Sequence, residues 1–128
     1  MQEKHLFEYA VIRVVPRVER EEFLNVGVIL FCAKQKFLQA EFLLNEDRLR
    51  AFSPDLDIDE LKSYLDAIDQ ICKGTKHGGP IAQLDLPSRF RWLTAARSTI
   101  VQTSKVHPGL CKAEAHETLA KLYHELVL

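Results

Sequence analysis

Residues 97–110, RSTIVQTSKVHPGL, concentrate groups that attract negative charge. The run holds Arg97, Lys105 and His107, the hydroxyls of Ser98, Thr99, Thr103 and Ser104, and the amide of Gln102. No acid interrupts it. The acid-free region extends from Leu86 to Ala113 and also carries Arg89, Arg91 and Lys112. Arginine offers a planar fork of donors, and hydroxyls and backbone N–H groups complete the shell of an anion. Between Glu41 and Asp69 the balance is reversed: nine acids stand against Arg48, Arg50 and Lys62. Two readings follow. The basic run waits for an outside anion or an acidic segment of a partner, or the basic and acidic stretches pair with each other inside the chain. Exposed ion pairs of that second kind contribute only ~0–1 kcal/mol each.

Arg13 lies in the apolar run LFEYAVIRVV, on the side shared with Tyr9, Val11 and Val15. A guanidinium there needs a carboxylate, a carbonyl or a ligand, because burying it unpaired is costly. Glu22, Glu41 and the 97–107 stretch are the available partners, and an internal ion pair with a glutamate is the plain alternative to a ligand site. The candidate binding set is Arg13, Glu22, Asn25, Arg97, Ser98, Gln102 and His107.

His107 precedes Pro108-Gly109, which reads as a turn that would hold an imidazole rigidly. That suits general acid–base work. It equally suits an ordinary turn histidine, since spacing places no nucleophile or carboxylate beside it. His107, Cys111 and His116 form a loose zinc-like set lacking the paired thiols of structural sites, so no metal and no cofactor is expected. Phe90 and Trp92, beside Arg89 and Arg91, could stack a base or fill the core. The chain contains no P-loop, GxGxxG, GxSxG or HExxH motif.

These groups must be positioned by a small set of elements. Residues 6–15, 25–33 and 37–44 read as strands. The second is apolar throughout, as in a strand covered on both faces. The third alternates Gln39 and Glu41 with Leu38, Ala40 and Phe42. Residues 45–52 read as a helix capped by Asn45. Residues 57–74 read as a longer helix with Asp57 and Glu60 in a capping-box arrangement and Gly74 as its stop. A glycine-rich loop, 73–80, leads to a short helix at 87–93. A strand at 98–104, a turn at 107–109 and a closing amphipathic helix at 113–128 complete the chain. The order predicts α+β: a small antiparallel sheet of three or four strands, with two long amphipathic helices packed on one face.

The 128 residues fit one domain, with 47% hydrophobic and 27% charged side chains. The formal net charge of −1 argues against bulk nucleic-acid binding. A local nucleic-acid strip through Arg89, Arg91, Trp92 and Arg97 stays open. Three scattered cysteines read as a reducing compartment. With no signal-peptide pattern and no membrane-length apolar run, a cytoplasmic protein is expected.

Three segments together resemble a bacterial family, domain-of-unknown-function family 3037. YAVIRVVPRVEREEFLNVGVIL (9–30) is similar to its Y-A-x-x-R-x-x-P and E-F-x-N-V-G-V pattern. RFRWLTAARSTIVQTSKVHPGL (89–110) is similar to its R-F-x-W-L-x-A-x-R-S-x-x-x-Q-x-x-x-V-H-x-G-L pattern. The closing leucine-rich helix is the third. The matched positions are Arg13, Pro16, Glu22, Phe23, Asn25, Gly27, Arg89, Trp92, Arg97, Ser98, Gln102, His107 and Gly109. In that family a proline often precedes the matched arginine; Ala96 stands there in this chain. The resemblance implies kinship without an established activity, and a HipA-like kinase as a protein partner.

The leading expectation is a non-enzymatic accessory module holding a small anion or a partner's acidic segment. The alternatives are a hydrolase or phosphotransfer enzyme using His107 with Arg13 and Arg97, and a nucleic-acid-binding module. A homodimer is compatible with all three.

Overall fold

The computed structural model describes residues 4–128. Its centre is an antiparallel sheet built on β1 (His5–Val14), which pairs with β2 (Leu24–Cys32) on one side. β2 pairs in turn with β3 (Phe37–Phe42) across a tight turn at 33–36. On its other side β1 pairs with two short strands in succession, β4 (Val101–Thr103) and β5 (His107–Cys111). Among the described residues the sheet thus has five strands rather than three or four, because the last column is split in two.

The split has a simple cause. Arg13 is opposite Gln102 and Ile12 opposite Thr103, but Tyr9 is opposite His107 and Phe7 opposite Gly109. One extra residue lies between the two pairings, a bulge in an edge column. Ser104 occupies it. Its amide donates to the Val11 carbonyl at 2.8 Å, and its hydroxyl accepts from the Val11 amide at 2.9 Å. That hydroxyl also donates to the carbonyl of Lys105. The bulge leaves Gln102 and His107, of opposite parity, on one face of the sheet.

This corrects the expected turn at 107–109, which is strand. Pro108 is tolerated because β5 is an edge, where a missing N–H costs no ladder bond. Gly109 lies under Phe7, whose nearest ring atom would stand 2.5 Å from an added Cβ. A second shift of register occurs in β2, where Ile12 faces Gly27 and Arg13 faces Asn25. Gly27 is required by close approach: an added Cβ would meet the Glu41 carbonyl and the Phe42 Cβ at 2.7 Å.

Helices α1 (Glu46–Phe52), α2 (Ile58–Lys73), α3 (Leu86–Leu93) and α4 (Ala115–Leu126) follow the sequence signals closely. Asn45 caps α1 by accepting from the Arg48 amide, and Asp57 caps α2 by accepting from that of Glu60. Gly74 ends α2 at φ 70°. Asp85 caps α3 through the Ser88 amide. The cap of α4 is not local: Gln35, in the β2–β3 turn, accepts from the Ala115 amide at 2.7 Å.

The helices cover both faces of the sheet, not one. Ala10, Ile12, Ile29 and Phe31 pack against α2 and α3 through Leu61, Leu65, Phe90 and Leu93. Phe7, Val28, Leu30 and Cys32 pack against α4 through Ala115 and Leu119. The unbroken apolar run of β2 has this explanation, since its alternate residues enter separate cores. α4 lies over β2 and β3. That position leaves Arg13 and Gln102, on β1 and β4, beside the helix rather than under it. No helix among the described residues is long and apolar enough to cross a membrane.

Candidate anion-binding cleft

At the Val14 end of β1 lies a cleft of about 400 Å³. Arg13, Arg97, Ser98 and Gln102 line it together with Val15, Val18, Glu21 and Phe23. Four members of the predicted set therefore share one concavity. The sheet supplies Arg13 and, directly opposite on β4, Gln102. The loop after α3 supplies Arg97 and Ser98. The β1–β2 connection supplies Glu21 and Phe23, with Glu21 in the left-handed conformation at φ 58°.

Both guanidiniums rest on aromatic rings. The Cζ of Arg13 is 3.9 Å from the centroid of Phe23, and that of Arg97 is 4.2 Å from the centroid of Trp92. Arg97 also donates to the carbonyl of Trp92. Among the described residues no carboxylate lies within ion-pair distance of either arginine. The Nε of Arg13 is buried and has no hydrogen-bond partner. Such an orphaned donor costs about 1–3 kcal/mol. The internal ion pair with a glutamate is thus not formed: Glu22 pairs with Arg20 instead, and a hydrogen bond between them holds the Glu22 carboxyl below its usual range. Gln102 donates to the Thr99 carbonyl at 2.8 Å, which fixes its side chain at the rim.

The remaining members of the predicted set lie elsewhere. Glu22 lines a separate concavity with Arg17, Arg20 and Asp55. Asn25 faces Arg13 across β2 but is drawn to the end of α4, donating to the Leu126 carbonyl at 3.2 Å. The rings of His107 and Tyr9 lie 5.3 Å apart, centroid to centroid, and are tilted by 32°. His107 sits opposite Tyr9, four residues along β1 from Arg13, a separation of about 13 Å at strand rise. His107, Cys111 and His116 do not come together as a metal-binding group among the described residues.

The rest of the basic run is used structurally. Arg91 grips both oxygens of Glu8, at 2.8 and 2.9 Å, and that hydrogen bond raises its pKa above the usual value. Arg89 donates to the carbonyls of Leu84, Ile71 and Cys72 at 2.9–3.0 Å, closing the C-terminal end of α2. Two of the three arginines proposed for a nucleic-acid strip are therefore engaged within the chain. Phe90 is core, stacked on Phe31 at 5.4 Å, whereas Trp92 is exposed beneath Arg97. None of the ion pairs among the described residues joins the acidic 41–69 stretch to the basic one.

Sequence reasoning missed Glu21, Val15 and Val18 as cleft residues and named Phe23 only through the resemblance. The available signal was Phe23 itself, a large apolar side chain closing a charged run and left 44% exposed. No curated protein and no solved structure matches the chain. The model of one family, described as a protein of unknown function (DUF3037), matches residues 9–127. With nearly its whole length inside that match, the chain belongs to the DUF3037 family.

Proposed function

We propose that this chain is a binding module whose cleft, between β1, β4 and the loop after α3, holds an anionic group. One observation carries the reading. Arg13 stands in a strand with a buried, unpaired Nε and no carboxylate partner among the described residues, and another part of the residue lines the space that Arg97, Ser98 and Gln102 also line. A guanidinium kept in that state is stabilised by whatever brings negative charge to it. Phe23 and Trp92 hold the two guanidiniums in place, which lowers the ordering cost of binding.

Binding is favoured over catalysis by position. An acid–base histidine would need to stand beside the arginines, and His107 is about 13 Å along the sheet from Arg13. A protein partner such as the HipA-like kinase implied by the resemblance is one source of the anionic group. The test is a titration of the intact chain with acidic ligands, comparing wild type with Arg13→Ala and Arg97→Ala. Loss of binding in both, with native circular dichroism, is expected. Unchanged binding in both rejects the cleft.

A further inference from the structure

We infer that the cleft takes the carboxylate of an acidic peptide segment with a large apolar residue beside it, and not a phosphate. This rests on the proposed anion-binding reading and narrows it to one chemistry.

Charge is the first argument. Arg13 and Arg97 contribute two positive charges to the lining and Glu21 one negative charge, leaving a formal +1. A single carboxylate is matched by that balance. A phosphate monoester, carrying about −1.5 to −2 near neutral pH, is not. It would also bring its second charge against Glu21.

Geometry is the second. Each guanidinium carbon lies over an aromatic ring and both arginines line the cleft, where a carboxylate can accept from them. The cleft is also large for a lone ion. It measures about 400 Å³, whereas one water occupies about 30 Å³ of liquid. Val18 and Phe23, 39% and 44% exposed, give a mostly polar lining one small apolar edge. A neighbouring Leu or Phe of a peptide would cover that edge, as a lone ion would not. A half-buried arginine on an aromatic side chain, as Arg97 is on Trp92, is also the composition of interface anchors.

The experiment uses the intact chain and fluorescein-labelled peptides of alternating Glu and Leu, followed by anisotropy. The controls are the same peptide with Gln for Glu, the same peptide with phosphoserine for one Glu, and inorganic phosphate as competitor. The Glu peptide is expected to bind and the Gln peptide not. Arg13→Ala and Arg97→Ala should each weaken binding by at least about tenfold, the size of one charge-assisted hydrogen bond. Arg13→Lys, which keeps the charge but not the fork, should recover only part of it. Glu21→Gln should admit phosphate as a competitor where the wild type does not. Tighter binding of the phosphoserine peptide or of phosphate by the wild type overturns this inference and leaves the anion cleft standing. Equal binding of the Glu and Gln peptides, or binding of neither the carboxylate nor the phosphate probes, overturns both.

Discussion

Arg13 and Phe23, ten residues apart in sequence, stack with the guanidinium carbon 3.9 Å from the ring centroid, while the Arg13 Nε stays buried without a partner. The ring supports the cation but accepts no hydrogen bond in its plane. Replacing Arg13 by Met should therefore raise or leave unchanged the urea midpoint, within about 1 kcal/mol, while abolishing anion binding. A loss of several kcal/mol in that variant would show that Arg13 is structural.

Arg89 should behave in the opposite way. Its guanidinium serves three carbonyls at the end of α2 and in the following loop. Arg89→Ala should cost about 2–3 kcal/mol in chemical denaturation and leave ligand affinity unchanged. Arg89→Lys should not restore the loss, because one ammonium cannot reach three separated acceptors.

Ser104→Ala should cost about 1–3 kcal/mol, since the Val11 amide would lose the hydroxyl that accepts from it. Amide hydrogen exchange at Val11 should speed up more than exchange elsewhere in β1. Uniform change along the strand would mean that the bulge is held by something other than this side chain.

Gly27→Ala should destabilise by about 2 kcal/mol or more, because the added methyl meets backbone and Cβ atoms of the neighbouring strand at 2.7 Å. Near-neutral stability would require β3 to move away at Phe42, and loss of the β2–β3 pairing in exchange data would reveal it.

Burial pushes the Cys72 thiol up from 9.0 to about 12. In the unfolded chain the thiol ionises near its ordinary value, so unfolding releases a proton between those limits. Its contribution to stability is full below pH 9 and declines as pH rises toward 12. All three cysteines are buried. A disulfide reagent at pH 8 should react with them slowly in the native protein and quickly in urea; fast native reaction at Cys72 would contradict its burial.

Much of the fold could be read locally, and the reasons are physical. Asn45, Asp57 and Gly74 act within one turn of their own positions, so their roles are legible from spacing. The placement of α4 is not local. Its stripe says that one side is buried but not against which face. The unbroken apolar run of β2 carried that information and contradicted helices on a single face. His107-Pro108-Gly109 reads as a turn because Pro-Gly usually bends the chain. Nothing in the dipeptide reveals that its strand is an edge or that Phe7 fills the space over Gly109. Arg13, Arg97, Ser98 and Gln102 were anticipated as neighbours because an isolated strand arginine and an acid-free run each lack a complement. Glu22 and Asn25 were not cleft residues because closer partners, Arg20 and the Leu126 carbonyl, claim them.

The single extra residue between Thr103 and His107 works as a parity switch for everything downstream. Strand side chains alternate with a period of two, so removing one residue there while pairing is kept would rotate β5 by half a turn. Cys111 and His107 would swap sides with Leu110 and Pro108, and Gly109 would no longer meet Phe7. Length in this segment is therefore under tighter constraint than composition. Homologous chains should tolerate substitutions at 105 and 106 far better than a one-residue gap.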